Sequence, residues 1–277
     1  MKFNGLFVIA LAIALQGLTA PANAKDAPLV LAATSPWVAD FADNECTASG
    51  EFSDGEDTVV LQFISYAPGP SVTVIIASDT LSLRVKGPTL QVLPAGEARS
   101  PEYFTELEAR GGWSGAEFPL TFEESGLGDG GILVEGVFRD VVELQSVDLA
   151  NAMEGMRKCK DDLAKKLGLD PETQRSLLKP AAINIDNWNP GTSSEQQEFA
   201  RVGSFSQKVR LIVEPDGKVS GCNVVWGSND ESIAEAMCAA LRKNARLEPA
   251  LNADSQPVKS SAIVTLAARR QTGLKVR

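Results

Sequence analysis

The stretch CAALRKNARLEPAL, residues 238–251, decides the fold of the C-terminal part of the chain. Its apolar residues Cys238, Leu241 and Ala245 recur at helical spacing, which predicts one buried face. Basic residues lie near the end of this helix, where the helix dipole favours cations, and Pro249 stops the element because proline lacks a backbone N–H. The stretch therefore predicts a helix that covers a neighbouring layer and ends in a turn.

Two strands precede the helix in the segment SQKVRLIVEPDGKVSGCNVVWG, residues 206–227. Apolar and polar residues alternate through its first half, as in a half-buried strand, and the Asp216-Gly217 pair predicts a tight turn. By the same alternation, the returning strand places three side chains on one face: Cys222, Val224 and Trp226. A third strand is expected in PVKSSAIVTLAAR, residues 257–269. A hairpin, a helix and one further strand predict a small α+β domain over residues 205–277.

The chain from residue 46 to residue 170 has a different pattern. Short runs rich in Val, Ile, Leu and Thr are separated by Gly and Pro, which is typical of an antiparallel sheet or sandwich. These runs are residues 57–65, 71–78, 80–85, 89–94, 116–122 and 131–138. Apolar residues at helical spacing follow between Leu149 and Leu167, and Gly168 ends that helix. The pattern predicts an antiparallel β-rich domain closed by one helix, so the whole chain is expected to be α+β.

The four cysteines are an even number, which favours disulfides in an exported protein. Cys46 precedes the first run of the β-rich domain, and Cys159 lies on the apolar face of the helix expected to cover that sheet. Cys222 and Cys238 lie on a strand and a helix that are expected to pack together. Among the possible pairings, this arrangement favours Cys46–Cys159 together with Cys222–Cys238.

The N-terminus has the pattern of a secretory signal. A positive start at Lys2 is followed by a short apolar run and by ANA at residues 22–24, a small-residue cleavage site. The sequence therefore predicts a signal peptide over residues 1–24, export to the periplasm and a leader over residues 25–45. The alternative is an uncleaved anchor in the inner membrane. Residues 171–204 include NPGTSSEQQ and are predicted to be a linker between the two domains.

Composition excludes several classes of function. The net charge of −10 disfavours binding to nucleic acid and to anionic lipid, because like charges repel. The chain has no histidine, which removes Ser-His-Asp and Cys-His catalysis and most zinc sites. One acidic cluster could supply oxygen ligands to calcium, but its spacing fits no EF-hand and favours a solvated loop: Asp43, Glu45, Asp54, Glu56 and Asp57. We expect no catalytic residue, no metal, no cofactor and no enzymatic activity.

Residues 209–258 read VRLIVEPDGKVSGCNVVWGSNDESIAEAMCAALRKNARLEPALNADSQPV. A strand runs into Asp-Gly-Lys-Val, a polar helix start follows, and Ala-Arg-x-x-Pro-Ala precedes Pro-Val. The motif residues are Asp216, Gly217, Arg246, Pro249 and Ala250. In this order of features the chain resembles the C-terminal domain of the TonB family over residues 205–268. The β-rich domain before it is similar to an uncharacterised exported region that sometimes precedes this domain, and no activity comes with that likeness.

The resemblance implies a periplasmic domain that contacts outer-membrane transporters by β-strand addition. By that analogy the partner-binding edge is the last strand: Ser260, Ser261, Ala262, Ile263, Val264, Thr265 and Leu266. We therefore expect an exported interaction protein that binds a protein or peptide partner with a Kd of micromolar or weaker. Two alternatives stay open: a membrane-anchored energy transducer of the TonB type, and a ligand-binding β-domain. The family's transducers carry a long proline-rich spacer, whereas residues 170–200 have no Pro-Glu or Pro-Lys repeat.

Overall fold

The structure, a computed structural model, describes residues 27–94, 96–108, 111–121, 130–146, 148–183, 205–227, 231–269 and 273–276. The predicted signal peptide at residues 1–24 lies outside these ranges, as do residues 184–204 of the predicted linker. In the part of the chain that the structure describes, no helix is both long enough and apolar enough to cross a membrane.

Ten strands form one large sheet around the first hydrophobic core. They are β1 (Leu29–Ala33), β2 (Val38–Phe41), β3 (Cys46–Ser53), β4 (Thr58–Ser65), β5 (Ser71–Ser78), β6 (Thr89–Val92), β7 (Thr105–Glu108), β8 (Ser114–Thr121), β9 (Gly131–Glu135) and β10 (Val142–Gln145). Their order is β6-β9-β10-β1-β3-β4-β5-β8-β7, and β2 pairs with the edge of β3 that faces away from β4. Strands β1 and β10 are parallel, whereas the other neighbouring strands of this sheet are antiparallel.

Alternate residues of the central strands point into this core, as the period of a strand requires. In β4, Val59, Leu61 and Phe63 are buried, while Gln62 is only partly buried. The helix α1 (Leu149–Lys166) adds a row of apolar side chains to the same core: Leu149, Ala152, Met153, Met156 and Cys159. The core is therefore built mainly by strands that face one another, and α1 covers part of it.

The expected fold class is wrong. The sequence patterns predicted an α+β chain in which one helix closes the first domain, but the described residues are mostly β, with a large curled sheet of ten strands and three helices in all. Strands β1 and β2 lie in the segment predicted to be a leader, and β3, β7 and β10 lie in segments without a predicted strand. The predicted run at residues 80–85 contributes a single bridge, between Leu83 and Phe138. Short strands are stabilised by strands that are distant in sequence, so the local sequence pattern does not predict them.

The C-terminal part of the chain has a hydrophobic core of its own. Its four-stranded sheet has the order β13-β12-β17-β18, formed by β12 (Phe205–Val213), β13 (Val219–Trp226), β17 (Ser260–Arg269) and β18 (Gly273–Val276). The helix α3 (Glu231–Asn244) covers one face of this sheet with Ile233, Met237 and Leu241. Short ladders complete this part: β14 (Leu247–Glu248), β15 (Ala250–Leu251) and β16 (Pro257–Val258).

Two short elements of the predicted linker contact the C-terminal part. The helix α2 (Pro171–Arg175) follows α1 closely, and β11 (Ala182–Ile183) pairs with β14. Lys179 also exchanges backbone hydrogen bonds with Leu251. Strands β11 and β12 both pair with strands of the C-terminal part, so the described chain on either side of residues 184–204 belongs to that part. We call residues 171–276 the module and residues 27–166 the β-unit.

Both predicted disulfides are present. Cys46–Cys159 joins the start of β3 to α1 in the β-unit, and Cys222–Cys238 joins β13 to α3 in the module. Two disulfides are typical of a protein that folds in an oxidising, exported environment.

Candidate partner-binding edge

Strand β17 lies inside the module's sheet for part of its length and at an edge for the rest. Strand β12 pairs with it from Ser260 to Ala268, whereas β18 pairs with it only from Leu266 onward. Among the described residues, no strand pairs with the other side of Ser260–Thr265. We call this stretch the open edge. The edge predicted from the sequence thus consists of the open edge and of Leu266, which the structure pairs with Val276.

Alternate residues of the open edge lie on opposite faces of the sheet. Ala262 and Val264 are buried in the core of the module, which α3 covers. Ile263 and Thr265 are partly buried, and the strand period places them on the opposite face. A strand added here would extend both faces of the sheet.

One backbone group at the start of the open edge is already occupied. The Nε2 atom of Gln174, a buried residue of α2, donates a 3.0 Å hydrogen bond to the carbonyl oxygen of Lys259. Backbone groups of successive strand residues point alternately to the two neighbouring positions. Every second N–H and C=O along the open edge is therefore directed away from β12, toward the position that a further strand would take.

The opposite edge of the sheet, β13, is protected. The Nη2 atom of Arg242 in α3 lies 3.5 Å from the carbonyl oxygen of Cys222, to which it donates a hydrogen bond. The pairing of β13 with β12 also contains bulges, at Lys208/Val209 and at Ile212/Val213. Charged side chains and bulges are two ways in which proteins prevent a further strand from pairing with an edge. The open edge of β17 is thus the better template for a new strand.

The bulge at Lys208/Val209 changes the sheet face on which Trp226 lies, contrary to the prediction. Val224 pairs with Val209, but Trp226 pairs with Lys208, so β13 has one more residue than β12 between these pairs. Trp226 consequently leaves the face of Cys222 and Val224 and lies beside the ammonium group of Lys208, with 5.6 Å between Nζ and the ring centroid. The expected common face is therefore wrong for Trp226, which is 47% exposed.

The face of the sheet opposite α3 carries two cations that contact the β-unit. Lys208 forms an ion pair with Glu117 in β8, and its Nζ atom lies 4.8 Å from the centroid of the Tyr66 ring. Arg210 donates hydrogen bonds of 3.1 Å to the carbonyl oxygens of Asn44 and Tyr66 and to Oδ1 of Asn44. Both cations are buried, so this contact joins the β-unit to the module.

Burial changes the protonation equilibria at this contact. Desolvation lowers the pKa of Arg210, and desolvation together with the nearby carboxylates of Glu45 and Glu117 raises the pKa of Tyr66. A guanidinium stays protonated at neutral pH even when its pKa falls. The buried group is therefore a cation, and among the described residues no carboxylate forms an ion pair with it.

The motif residues that carry the resemblance hold the turn between β12 and β13 against the chain that follows α3. Gly217 has a φ of 78°, and its carbonyl oxygen accepts a hydrogen bond from the N–H of Leu247. Asp216 accepts hydrogen bonds from Lys218, which lower the pKa of Asp216. The remaining motif residues lie beside this contact: Arg246, Pro249 and the buried Ala250. These residues shape the module, and the structure places them outside the open edge.

Three residues of the acidic cluster, Asp54, Glu56 and Asp57, lie in a turn. The Oδ1 atom of Asp54 accepts hydrogen bonds from the backbone N–H groups of Asp57 and Glu56, and these bonds lower the pKa of Asp54. Asp43 instead pairs with Lys166 at the end of α1. Across the ranges that the structure describes, no group of three His, Cys, Asp or Glu side chains is placed to hold a metal ion.

Sequence reasoning missed three residues around the open edge: Gln174, Lys208 and Arg210. Lys208 and Arg210 alternate with Val209 and Leu211, a pattern that predicts a solvent-facing side of a strand. The one available signal was the presence of two cations on the same strand face of an acidic chain, which favours contact with acidic or polar groups elsewhere in it. Gln174 gave no signal, because its segment has the composition of a linker.

Comparisons with known proteins give no match. No protein-family model matches the chain, and no curated protein and no solved structure matches it.

Proposed function

We propose that this protein is an exported, non-enzymatic interaction protein that binds an extended segment of a protein partner at the open edge by β-strand addition. The observation that carries the proposal is the unpaired side of Ser260–Thr265 in a strand whose other side is fully paired. Unpaired backbone groups at a sheet edge are a ready template for another strand. The resemblance to TonB C-terminal domains also supports this edge as the place where a partner binds.

The neighbours of the open edge indicate what kind of segment fits. Strand β18 begins to pair at Leu266, and Gln174 caps Lys259, so the edge is bounded at both ends. A segment of about six residues, the usual length of a strand, fills such an edge. The edge itself reads SSAIVT and has no charged side chain, which favours uncharged, β-branched residues in the partner.

Two features support export to the periplasm. Disulfides form and persist in oxidising compartments, and this chain has two of them. Residues 1–24 have the composition of a signal peptide, and we propose cleavage after Ala24. The intact mass of the native protein tests this: a soluble species that begins at Lys25 supports it, whereas a membrane-bound species that retains Met1 contradicts it and favours an anchored transducer.

Binding at the open edge is tested with a labelled peptide. The probe is an end-capped, fluorescein-labelled peptide of alternating threonine and valine, titrated against the full native protein by fluorescence anisotropy. We expect a Kd of micromolar or weaker. Hydrogen exchange of the complex is expected to show new protection in Ser260–Thr265 and none in β13, which serves as the internal control.

Two N-methylated forms of the same peptide distinguish strand addition from other binding. A strand pairs through the backbone groups of alternate residues, so methylation of every second amide removes the donors on one side only. We expect one form to lose binding and the other to retain it. Equal binding of both forms, or protection in β13, would exclude strand addition at the open edge.

A further inference from the structure

The contact between the β-unit and the module is polar, and the two hydrophobic cores stay separate. On the sheet face opposite α3, the contact residues are Asn44, Tyr66 and Glu117 in the β-unit and Lys208, Arg210 and Asn223 in the module. A second polar contact, close to the chain connection, is the 2.6 Å ion pair between Arg175 in α2 and Asp161 in α1. Polar contacts between domains of one chain resemble transient interfaces and permit relative motion. Neither disulfide crosses this contact. Its strength therefore depends on the side chains that form it.

Favourable and unfavourable contributions to the free energy oppose each other where Lys208 and Arg210 contact the β-unit. The Arg210 side chain is buried, the residue being 4% exposed, and its Nε atom has no hydrogen-bond partner among the described residues. A charge buried without a carboxylate loses hydration that carbonyl oxygens replace only in part. The Lys208–Glu117 ion pair, with the Tyr66 and Trp226 rings beside the ammonium group, offsets this loss. The closed arrangement is thus held by a few charged and polar groups, which single substitutions can remove.

The same two cations lie next to the open edge. In the ladder between β12 and β17, Arg210 is opposite Ile263 and Lys208 is opposite Thr265. The β-unit therefore contacts β12 on the same sheet face that carries Ile263 and Thr265 of the neighbouring open edge. Ser261, which the strand period places on that face, is only 8% exposed. A strand that is held in place before binding loses less conformational freedom when a partner pairs with it.

We propose that Lys208 and Arg210 form a latch between the β-unit and the module, and that the closed latch holds the open edge in the conformation that binds a partner segment. This inference rests on the proposed function, because it concerns affinity at the open edge. When the latch opens, the fraction of binding-competent molecules falls, and the apparent Kd rises in proportion. The β-unit is then the element that sets the affinity of the module.

The charges at Glu117 and Lys208 test the latch in the full chain. Glu117→Lys brings two cations together, Lys208→Glu brings two carboxylates together, and the double variant restores an ion pair of reversed polarity. Glu117→Gln is the milder variant, because it removes attraction without adding repulsion. Two controls make the same charge changes at exposed positions: Glu106→Lys in β7 and Lys86→Glu in the loop before β6. Each protein is measured by small-angle X-ray scattering and titrated with the threonine–valine peptide.

Each single charge reversal is expected to increase the radius of gyration and to weaken peptide binding about tenfold, within the usual range of coupling between sites. Glu117→Gln is expected to give a smaller change in the same direction. The double variant should restore most of the radius of gyration and of the peptide affinity, and the controls should match the wild type. A variant that opens without a change in Kd, or that loses affinity without opening, would overturn the proposal. If the wild type binds no peptide, the proposed function fails by itself. The radii of gyration of the single and double variants then still decide whether the latch exists.

Discussion

Arg210 in the module donates a 3.1 Å hydrogen bond to the carbonyl oxygen of Tyr66 in the β-unit, 144 positions earlier in the chain. Tyr66 directly follows β4, and Asn44, whose carbonyl oxygen accepts a second hydrogen bond from Arg210, lies just before β3. Cys46 and Ser65 form the last pair of the ladder between these strands. The guanidinium thus satisfies carbonyl groups at the place where the ladder ends and strand partners are no longer available.

Arg210→Ala is expected to lower the free energy of unfolding by about 1 kcal/mol. Loss of a donor to buried carbonyl groups costs about 1–3 kcal/mol, and removal of the desolvated charge offsets part of that loss. Arg210→Lys keeps the charge without the planar fork, so it should recover only part of the stability. Urea denaturation followed by tryptophan fluorescence measures both variants. An alanine variant as stable as the wild type would show that water replaces the guanidinium without loss.

The two disulfides are expected to contribute unequally to stability. Cys46–Cys159 spans a sequence separation of 113, and Cys222–Cys238 spans one of 16. In the loop-entropy description, replacing the first pair by serine lowers the free energy of unfolding by about 4–5 kcal/mol and replacing the second pair lowers it by about 3 kcal/mol. Denaturation of the two double-serine variants measures the difference. A larger loss for the Cys222–Cys238 pair would contradict an explanation by loop length.

Gly217→Ala is expected to destabilise the protein more than Gly168→Ala. Both glycines have a positive φ, 78° and 67°, a conformation that costs other residues roughly 1–2 kcal/mol. A Cβ atom on Gly217 would lie 2.3 Å from the carbonyl oxygen of Leu247, whereas one on Gly168 meets nothing within 4 Å. Thermal unfolding of the two variants separates the backbone term from the contact term. Equal decreases in Tm would indicate that the chain at Leu247 moves aside freely.

Glu154 on α1 is expected to titrate far below the ordinary range of a carboxyl group. It pairs with Arg157 at 2.6 Å and with Lys158 at 3.6 Å, and hydrogen bonds from Arg157 lower the pKa of Glu154 from 4.5 to about 2. A carboxyl whose pKa is lower in the folded chain stabilises the fold above its unfolded pKa, and this contribution is lost as the pH falls from 4.5 toward 2.

Two measurements check the titration of Glu154. Carbon-detected NMR should give a midpoint near pH 2 in the wild type and a higher one in Arg157→Met, which lacks the donor. In Glu154→Gln, the decrease in Tm between pH 4.5 and pH 2 should be smaller than in the wild type, because the titrating group is absent. A midpoint close to 4.5 in the wild type would mean that water screens the pair completely.

The sequence predicted the elements in which one pattern runs without interruption. Strands β4 and β5 and helix α1 begin and end within a residue or two of the predicted runs. A long periodic run of apolar residues predicts its element whichever neighbour covers it. The fold class was missed because it depends on short strands. Strand β1 has only five residues, and its neighbours in the sheet are β10 and β3. No local pattern of that length distinguishes a strand from a leader.

The candidate site was predictable only in its central strand. The position of β17 followed from a resemblance and from its alternating residues, but its pairing depends on β18 and Gln174, which have no local signal. The latch was hidden for a different reason. Lys208 and Arg210 have the pattern of a solvated strand face, and they are buried only because the β-unit docks on them. Burial of this kind is a long-range property of the fold.

Ile183 and Phe205, the described residues on either side of the segment 184–204, both pair with strands of the module. Cleavage of any bond within that segment produces two polypeptides, and neither disulfide links one to the other. The pieces remain associated through β11 and β14, through Lys179 and Leu251, and through the latch. Nicked protein should therefore elute as one species under native conditions and separate on a denaturing gel without reductant. We therefore expect the two halves to reassemble when they are produced separately.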